Sequence, residues 1–225
     1  MMKLTPPLWL ASRSPRRQLM LAKLPIEVRV HPPDVDDAAL RPGDVTPEIW
    51  VMALAYLKAR RVADLLRGVA RQYGGWWDRW SDHGVTGTVL GADTVCVAEQ
   101  TLLGQPRDAD DAVAMLRLLR GAEHRTITGV CLLALATGTR WLFCDSTLVR
   151  IGPVSDLQIQ QYIASGDWRG KAGAYNLSER IAAGWPIECI GDPATVMGLP
   201  MQRLEGILGI GVPAENQNGT TDQHG

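Results

Sequence analysis

A chain of 225 residues, 46% apolar and 21% charged, is long enough to bury a sizeable core within one domain. Its formal charge of −1 excludes a protein that coats nucleic acid or an acidic membrane, so any anion must meet a local cluster of cations. No run approaches the roughly 20 apolar residues of a membrane span, and the apolar run at the N-terminus is too short for a signal peptide. The four cysteines (Cys96, Cys131, Cys144, Cys189) lie far apart in apolar stretches, and neither they nor the histidines show metal-ligand spacing. Buried free thiols and a cytoplasmic location are expected.

Residues 8–11 predict a short buried strand. Ser14 then reads as an N-cap and Pro15 as the first helical position, with Leu19, Met20 and Leu24 as the apolar side. Ser12, Ser14, Arg16 and Arg17 converge on that helix start, an arrangement suited to phosphate. Arginine there opposes the helix dipole, so its placement needs a reason.

Residues 26–30 predict a second strand that enters an acidic loop with Asp34, Asp36 and Asp37. A long helix is expected from Thr46 and Pro47 to near Gly68, with Ile49, Met52, Leu57, Leu65 and Leu66 among its apolar positions. Lys58 in its middle is a candidate cation, although a lone helical lysine usually faces solvent. Residues 69–87, rich in Gly and Trp, read as an excursion between elements.

A β run over 88–97 carries Asp93 between Gly91 and Thr94. A carboxylate inside an apolar strand is costly without a metal ion, an arginine or a catalytic water to justify it; a structural Asp held by backbone amides is the plainer account. A hard cation such as Mg²⁺ takes one or two carboxylates together with phosphate, so Asp93 with one of Asp34, Asp36 and Asp37 would fit.

Asp108 caps an amphipathic helix to Arg120, and β runs over 124–136 and 140–151 are joined by a Thr-Gly-Thr turn. Ser155 and Gln158 form a capping box for a helix to Ala164. A loop from 166 to 184, a short strand and a last helix over 200–208 follow; residues 209–225 have the composition of a disordered tail. The segment from Gly166 to Gly173 misses the P-loop by one residue of spacing and lacks Ser or Thr after Lys171. Strands interleaved with helices predict an α/β fold with a mixed sheet.

Seven short motifs stand in one order: Ser12-Arg-Ser-Pro-Arg-Arg17, Leu54-Ala-Tyr-Leu-Lys-Ala59, Gly91-Ala-Asp-Thr94, Gly104-Gln-Pro106, Thr128-Gly-Val130, Lys171-Ala-Gly-Ala-Tyr175 and Val196-Met-Gly-Leu-Pro200. In this the chain resembles the Maf family of nucleoside triphosphate pyrophosphatases, over about residues 8–208. The resemblance implies a mixed curved sheet with flanking helices, two lobes around a cleft as in the inosine triphosphate pyrophosphatases, and a single domain over residues 1–208. It also implies hydrolysis of a nucleoside triphosphate to the monophosphate and pyrophosphate with a divalent cation, Mg²⁺ or Mn²⁺. Asp93 matches the family's proton acceptor; Ser12, Ser14, Arg16, Arg17, Lys58 and Lys171 are the expected substrate contacts. Arg16, Thr94 and the position of Ser178, where a glutamine stands in the dTTP/UTP type, bear on substrate choice.

The chain departs from the family's pattern at Gln105, where the family usually has lysine, and at Asp37, where it commonly has glutamate. Gln105 removes one expected cation, and the family's name comes from effects on septum formation, so the resemblance also implies an alternative, a low-turnover nucleotide-binding regulator of cell division and septum formation. Neither nucleic acid nor membrane is an expected partner, and a homodimer is among the assemblies the sequence allows.

Overall fold

The computed structural model describes residues 4–36, 40–72 and 86–210. The strands are β1 (Leu8–Ala11), β2 (Val28–Val30), β3 (Thr88–Ala98), β4 (Thr101–Leu103), β5 (Ala122–Ala134), β6 (Arg140–Ile151) and β7 (Ile187–Ile190). They form one mixed sheet in the order β2-β1-β3-β5-β6-β7, with β4 attached to β3. β1 runs parallel to both neighbours, and the pairs from β3 onward are antiparallel. The helices are α1 (Pro15–Leu21), α2 (Pro47–Gln72), α3 (Ala109–Leu119), α4 (Asp156–Ser165), α5 (Leu177–Ala182), α6 (Pro193–Val196) and α7 (Met201–Leu208).

The sheet leaves one opening. β1 pairs with β3 from Thr88 to Gly91, and β4 pairs with the same edge only from Cys96 to Ala98. Residues 92–95 therefore have no strand on that edge among the described residues. Side chains of β3 alternate across the sheet, so Gly91 and Asp93 face one side while Ala92 and Thr94 face the other.

Helix α2 lies on the Asp93 face, and it lies close. A Cβ added at Gly91 would sit 2.1 Å from the carbonyl oxygen of Ala55, and one at Gly129 would sit 2.5 Å from the carbonyl carbon of Val51. The two glycines let the helix backbone rest directly on the strands. Such contact admits only modest side chains on the helix's inward face: Val51, Ala55, Lys58, Ala59, Val62 and Ala63 are buried there. The expected apolar stripe is corrected accordingly. Ile49 and Leu57 are exposed, and Lys58 is turned inward.

The opposite face carries two apolar clusters. Leu90 and Ala92 pack with α1 and α7 around Met20, Leu21, Leu204 and Leu208, while Cys96 and Ala98 pack with α3 and α4 around Leu116, Leu119 and Ile159. Thr94 falls between them. Its hydroxyl lies 2.8 Å from that of Thr128, which donates to the Thr195 carbonyl at 2.7 Å and anchors α6.

Other expectations also shift. Leu19 is 68% exposed, because Met20 and Leu21 take the inward positions of the seven-residue α1. The expected loop over 166–184 contains a 3-10 turn at Ala172–Ala174 and helix α5, capped by Asn176 Oδ1 accepting from the Glu179 N–H. β4 and α6 had no sequence signal, being three and four residues long. Residues 73–85, which hold most of the Gly/Trp-rich excursion, lie outside the described residues, as do Asp37 and residues 211–225 of the expected tail.

Candidate active site

The opening in the sheet is where the chemistry collects. An outer cleft of about 560 Å³ is lined by the turn from Ala11 to Arg17, by Pro33 to Val35, by Lys58 and Gln105, and by Arg169, Gly170, Lys171 and Glu179. A smaller recess of about 70 Å³ shares Ser14, Arg16, Arg17, Lys58, Gln105 and Gly170 with it. The recess adds Asp93, Thr94, Cys96, Thr126, Tyr175 and the turn from Val196 to Gly198. A cleft beside the end of a parallel strand, where the next partner is missing, is where open α/β sheets bind ligands.

At the junction, Lys58 Nζ donates to Asp93 Oδ1 at 2.5 Å, with side chains only 11% and 12% exposed. A buried carboxylate and ammonium in contact offset each other's desolvation. Lys58 reaches Asp93 because Gly91 and Gly129 bring α2 down onto the sheet.

Ser12, Ser14, Arg16, Arg17, Lys58 and Lys171 all line the outer cleft, and Thr94 lines the recess. Their local bonding differs from expectation. Ser14 occupies the N-cap of α1, but its side chain makes no cap bond; its N–H donates to Ser12 Oγ at 3.1 Å. Arg17 is held by the protein itself, donating to the carbonyls of Gly198 and Ala92 and to the hydroxyls of Thr94 and Ser12. The guanidinium is thus engaged by three separate segments while it also lines both cavities.

Arg16 lies against the Gly170 carbonyl at 3.5 Å. Burial lowers its pKa, and the nearby Glu179 carboxylate opposes that shift. Lys171 is hydrogen-bonded to Glu179. Ser178 is absent from both linings and donates to Asn176 Oδ1 at 2.9 Å, while its neighbour Glu179 in the first turn of α5 lines the outer cleft. Sequence reasoning missed Glu179, Arg169 and Tyr175. Arg107, beside Gln105, turns away to Asp111 at 3.1 Å.

Asp34 stands on the rim with φ +40° and an exposed ion pair to Arg13 at 3.7 Å. Among the described residues, no group of three or more His, Cys, Asp or Glu residues is placed to hold a metal ion. The carboxylates that line the two cavities are those of Asp93, Asp34 and Glu179. Hard oxygen donors in small number suit Mg²⁺ or Mn²⁺ carried in with phosphates, not a metal caged by protein alone. All four cysteines are free, two of them buried, and burial pushes the Cys96 thiol up to about 11.

Behind the recess, His124 Nε2 and the Tyr175 hydroxyl are 2.8 Å apart, and burial lowers the imidazole pKa from 6.5 to about 4. The folded protein thus resists protonating His124, whereas the unfolded chain accepts the proton near pH 6.5. Stability should be full above that pH and fall as pH drops from 6.5 towards 4, by roughly 3 kcal/mol in all. Urea titrations across this window should show a flatter pH dependence for His124→Gln; an unchanged slope would place the loss elsewhere.

A mixed sheet with a cation-lined cleft, deepening to one buried carboxylate–ammonium pair, defines a protein built to take a polyanion and act on it. More particularly, the chain belongs to the Maf family: the family model described as Maf-like protein matches residues 7–209. A dTTP/UTP pyrophosphatase of Ruminiclostridium cellulolyticum is 34% identical over 199 residues, spanning 88% of this chain and 93% of that relative. One of Brucella abortus is 36% identical over 90% of both chains, and one of Salinibacter ruber is 37% identical over 91% of this chain and 90% of its own. A solved nucleoside-triphosphatase, or dITP/XTP pyrophosphatase, of Mycobacterium abscessus aligns over 64% of this chain and 73% of its own. Its TM-score of 0.33 and 13% identity are too low to bear on the fold.

Proposed function

We propose that this protein hydrolyses nucleoside triphosphates between the α and β phosphates, releasing the monophosphate and pyrophosphate. The observation that carries the proposal is the Asp93–Lys58 pair at the junction of the two cavities. The cleft around it presents Arg13, Arg16, Arg169 and Lys171 against the carboxylates of Asp34 and Glu179, a local excess of positive charge on a chain of net charge −1. Asp93 accepts a proton from water as the water oxygen bonds to the α-phosphorus. The bond to the bridging oxygen breaks, and its electron pair leaves with pyrophosphate. Lys58 holds the carboxylate in place, and the cleft cations stabilise charge on the phosphates; no covalent intermediate is needed.

The proposal includes a divalent cation, Mg²⁺ or Mn²⁺, held by Asp93 and the substrate phosphates. Such an ion, when bound, would neutralise phosphate charge and polarise the phosphorus. We favour dTTP and UTP as substrates because the relatives above carry that name and because Arg16 and Thr94 both reach the cavities. Free cysteines support a reducing compartment, the cytoplasm, and no helix among the described residues is long and apolar enough to cross a membrane. A homodimer is the assembly to test, by light scattering.

A screen of pyrophosphate release over canonical and modified nucleoside triphosphates, with Mg²⁺ or Mn²⁺, tests the function. Nucleotide binding without pyrophosphate release would overturn it in favour of a low-turnover regulator. Gln105 sharpens the test, since it lines both cavities with a neutral amide. Gln105→Lys should lower KM or raise kcat, by about 1.5–3 kcal/mol at most, the worth of one charged hydrogen bond. Arg107 turns to Asp111 at 3.1 Å and lines neither cavity. The gain should shrink with added salt; no change at low salt would mean that position 105 does not meet the phosphates.

A further inference from the structure

Arg17 makes contacts that a phosphate ligand would not need. Its Nε donates to the Gly198 carbonyl at 2.8 Å, and Nη1 donates to the Ala92 carbonyl at 2.9 Å and to Ser12 Oγ at 3.3 Å. Nη2 donates to Thr94 Oγ1 at 3.1 Å. Ala92 and Thr94 flank Asp93, on the stretch of β3 that has no strand partner on its β1 edge among the described residues. The guanidinium therefore satisfies a carbonyl where the next strand would have done so.

Its other carbonyl partner belongs to a turn that is shaped around it. Gly198 has φ +109°, and a Cβ there would come within 3.0 Å of Arg17 Nε. Only glycine combines that conformation with so close an approach. Val196 and Met197 of the same turn line the recess.

We propose that Arg17 is a positioning residue that clamps the open edge of β3 to the turn at Gly198, fixing Asp93 and the recess wall relative to each other. The effect on turnover rests on the hydrolytic reading above; the clamp itself does not. A rigid planar fork with five donors can meet these four acceptors at once, and a lysine ammonium with three donors cannot.

The test compares the wild type with Arg17→Ala and Arg17→Lys. Pyrophosphate release would be followed with whichever nucleoside triphosphate the wild type hydrolyses best, and amide hydrogen exchange over residues 92–95 and 196–199 without nucleotide. Both variants should lose kcat by about 100-fold, the scale of a misplaced catalytic group, with KM little changed and exchange faster in both segments. Lysine should be no better than alanine. Should Arg17→Ala not fold, Gly198→Ala keeps the charge while pressing a methyl group against Nε, and should lower kcat in the same way. A raised KM with kcat intact, or recovery by lysine, would overturn the clamp in favour of phosphate binding. A wild type that hydrolyses nothing would end the hydrolytic reading alone, because unchanged exchange in Arg17→Lys would still overturn the clamp and faster exchange would still support it.

Discussion

Asp93→Asn is expected to lower kcat by at least about 100-fold, the usual cost of losing a proton-accepting carboxylate, while the protein stays folded. Asparagine has nearly the same shape, and its carbonyl oxygen can still accept from Lys58 Nζ, which now stands 2.5 Å from Asp93 Oδ1. The ammonium thus keeps a hydrogen bond, although it loses the opposite charge. What asparagine cannot do is take a proton from water or hold a divalent cation strongly. Pyrophosphate release at saturating nucleotide, read beside a thermal melt, separates the two effects. Near-normal turnover in the folded variant would leave Asp93 as no more than the partner of Lys58.

The second large effect is on stability. Lys58→Met keeps the length and apolar stem of the side chain but removes the ammonium from a carboxylate whose side chain is 12% exposed. Taking one member from a buried ion pair typically costs about 3–5 kcal/mol, because the remaining charge is left desolvated. Adding Asp93→Asn should recover part of that loss, a coupling of about 0.5–3 kcal/mol for groups in contact. Activity should not return with it. Denaturant midpoints of the two single variants and the double variant give the cycle directly. Strictly additive losses would mean that the pair contributes no coupling, and that Lys58 is buried for its stem alone.

Local chemistry made much of the molecule legible from its sequence. The capping box at Ser155 and Gln158 and the Asp108 cap stand as read, with the Asp111 N–H donating to Asp108 Oδ1 at 2.8 Å. The Thr-Gly-Thr turn joins β5 to β6, and β3 carries Asp93 in a buried strand. These signals act within a few residues, through turn geometry, caps and alternation, so a linear reading captures them. The order of seven motifs also pointed to the family to which the chain belongs.

The face of α2 was read wrongly because its inward side is chosen by the sheet beneath it. Gly91 and Gly129 lie far from the helix in sequence, and their missing side chains decide that alanines and Lys58 go inward while Ile49 and Leu57 go out. The role of Arg17 was hidden for a similar reason: its carbonyl acceptors, Ala92 and Gly198, stand 75 and 181 residues away in the chain. Ser178 and Glu179 differ by one helical step, and only the docking of α5 determines which of them reaches the cleft. Residue type and local spacing therefore determined the elements and the kinds of chemistry this protein carries. Which side chains meet one another depended on contacts between segments distant in sequence, and those are set by the tertiary structure.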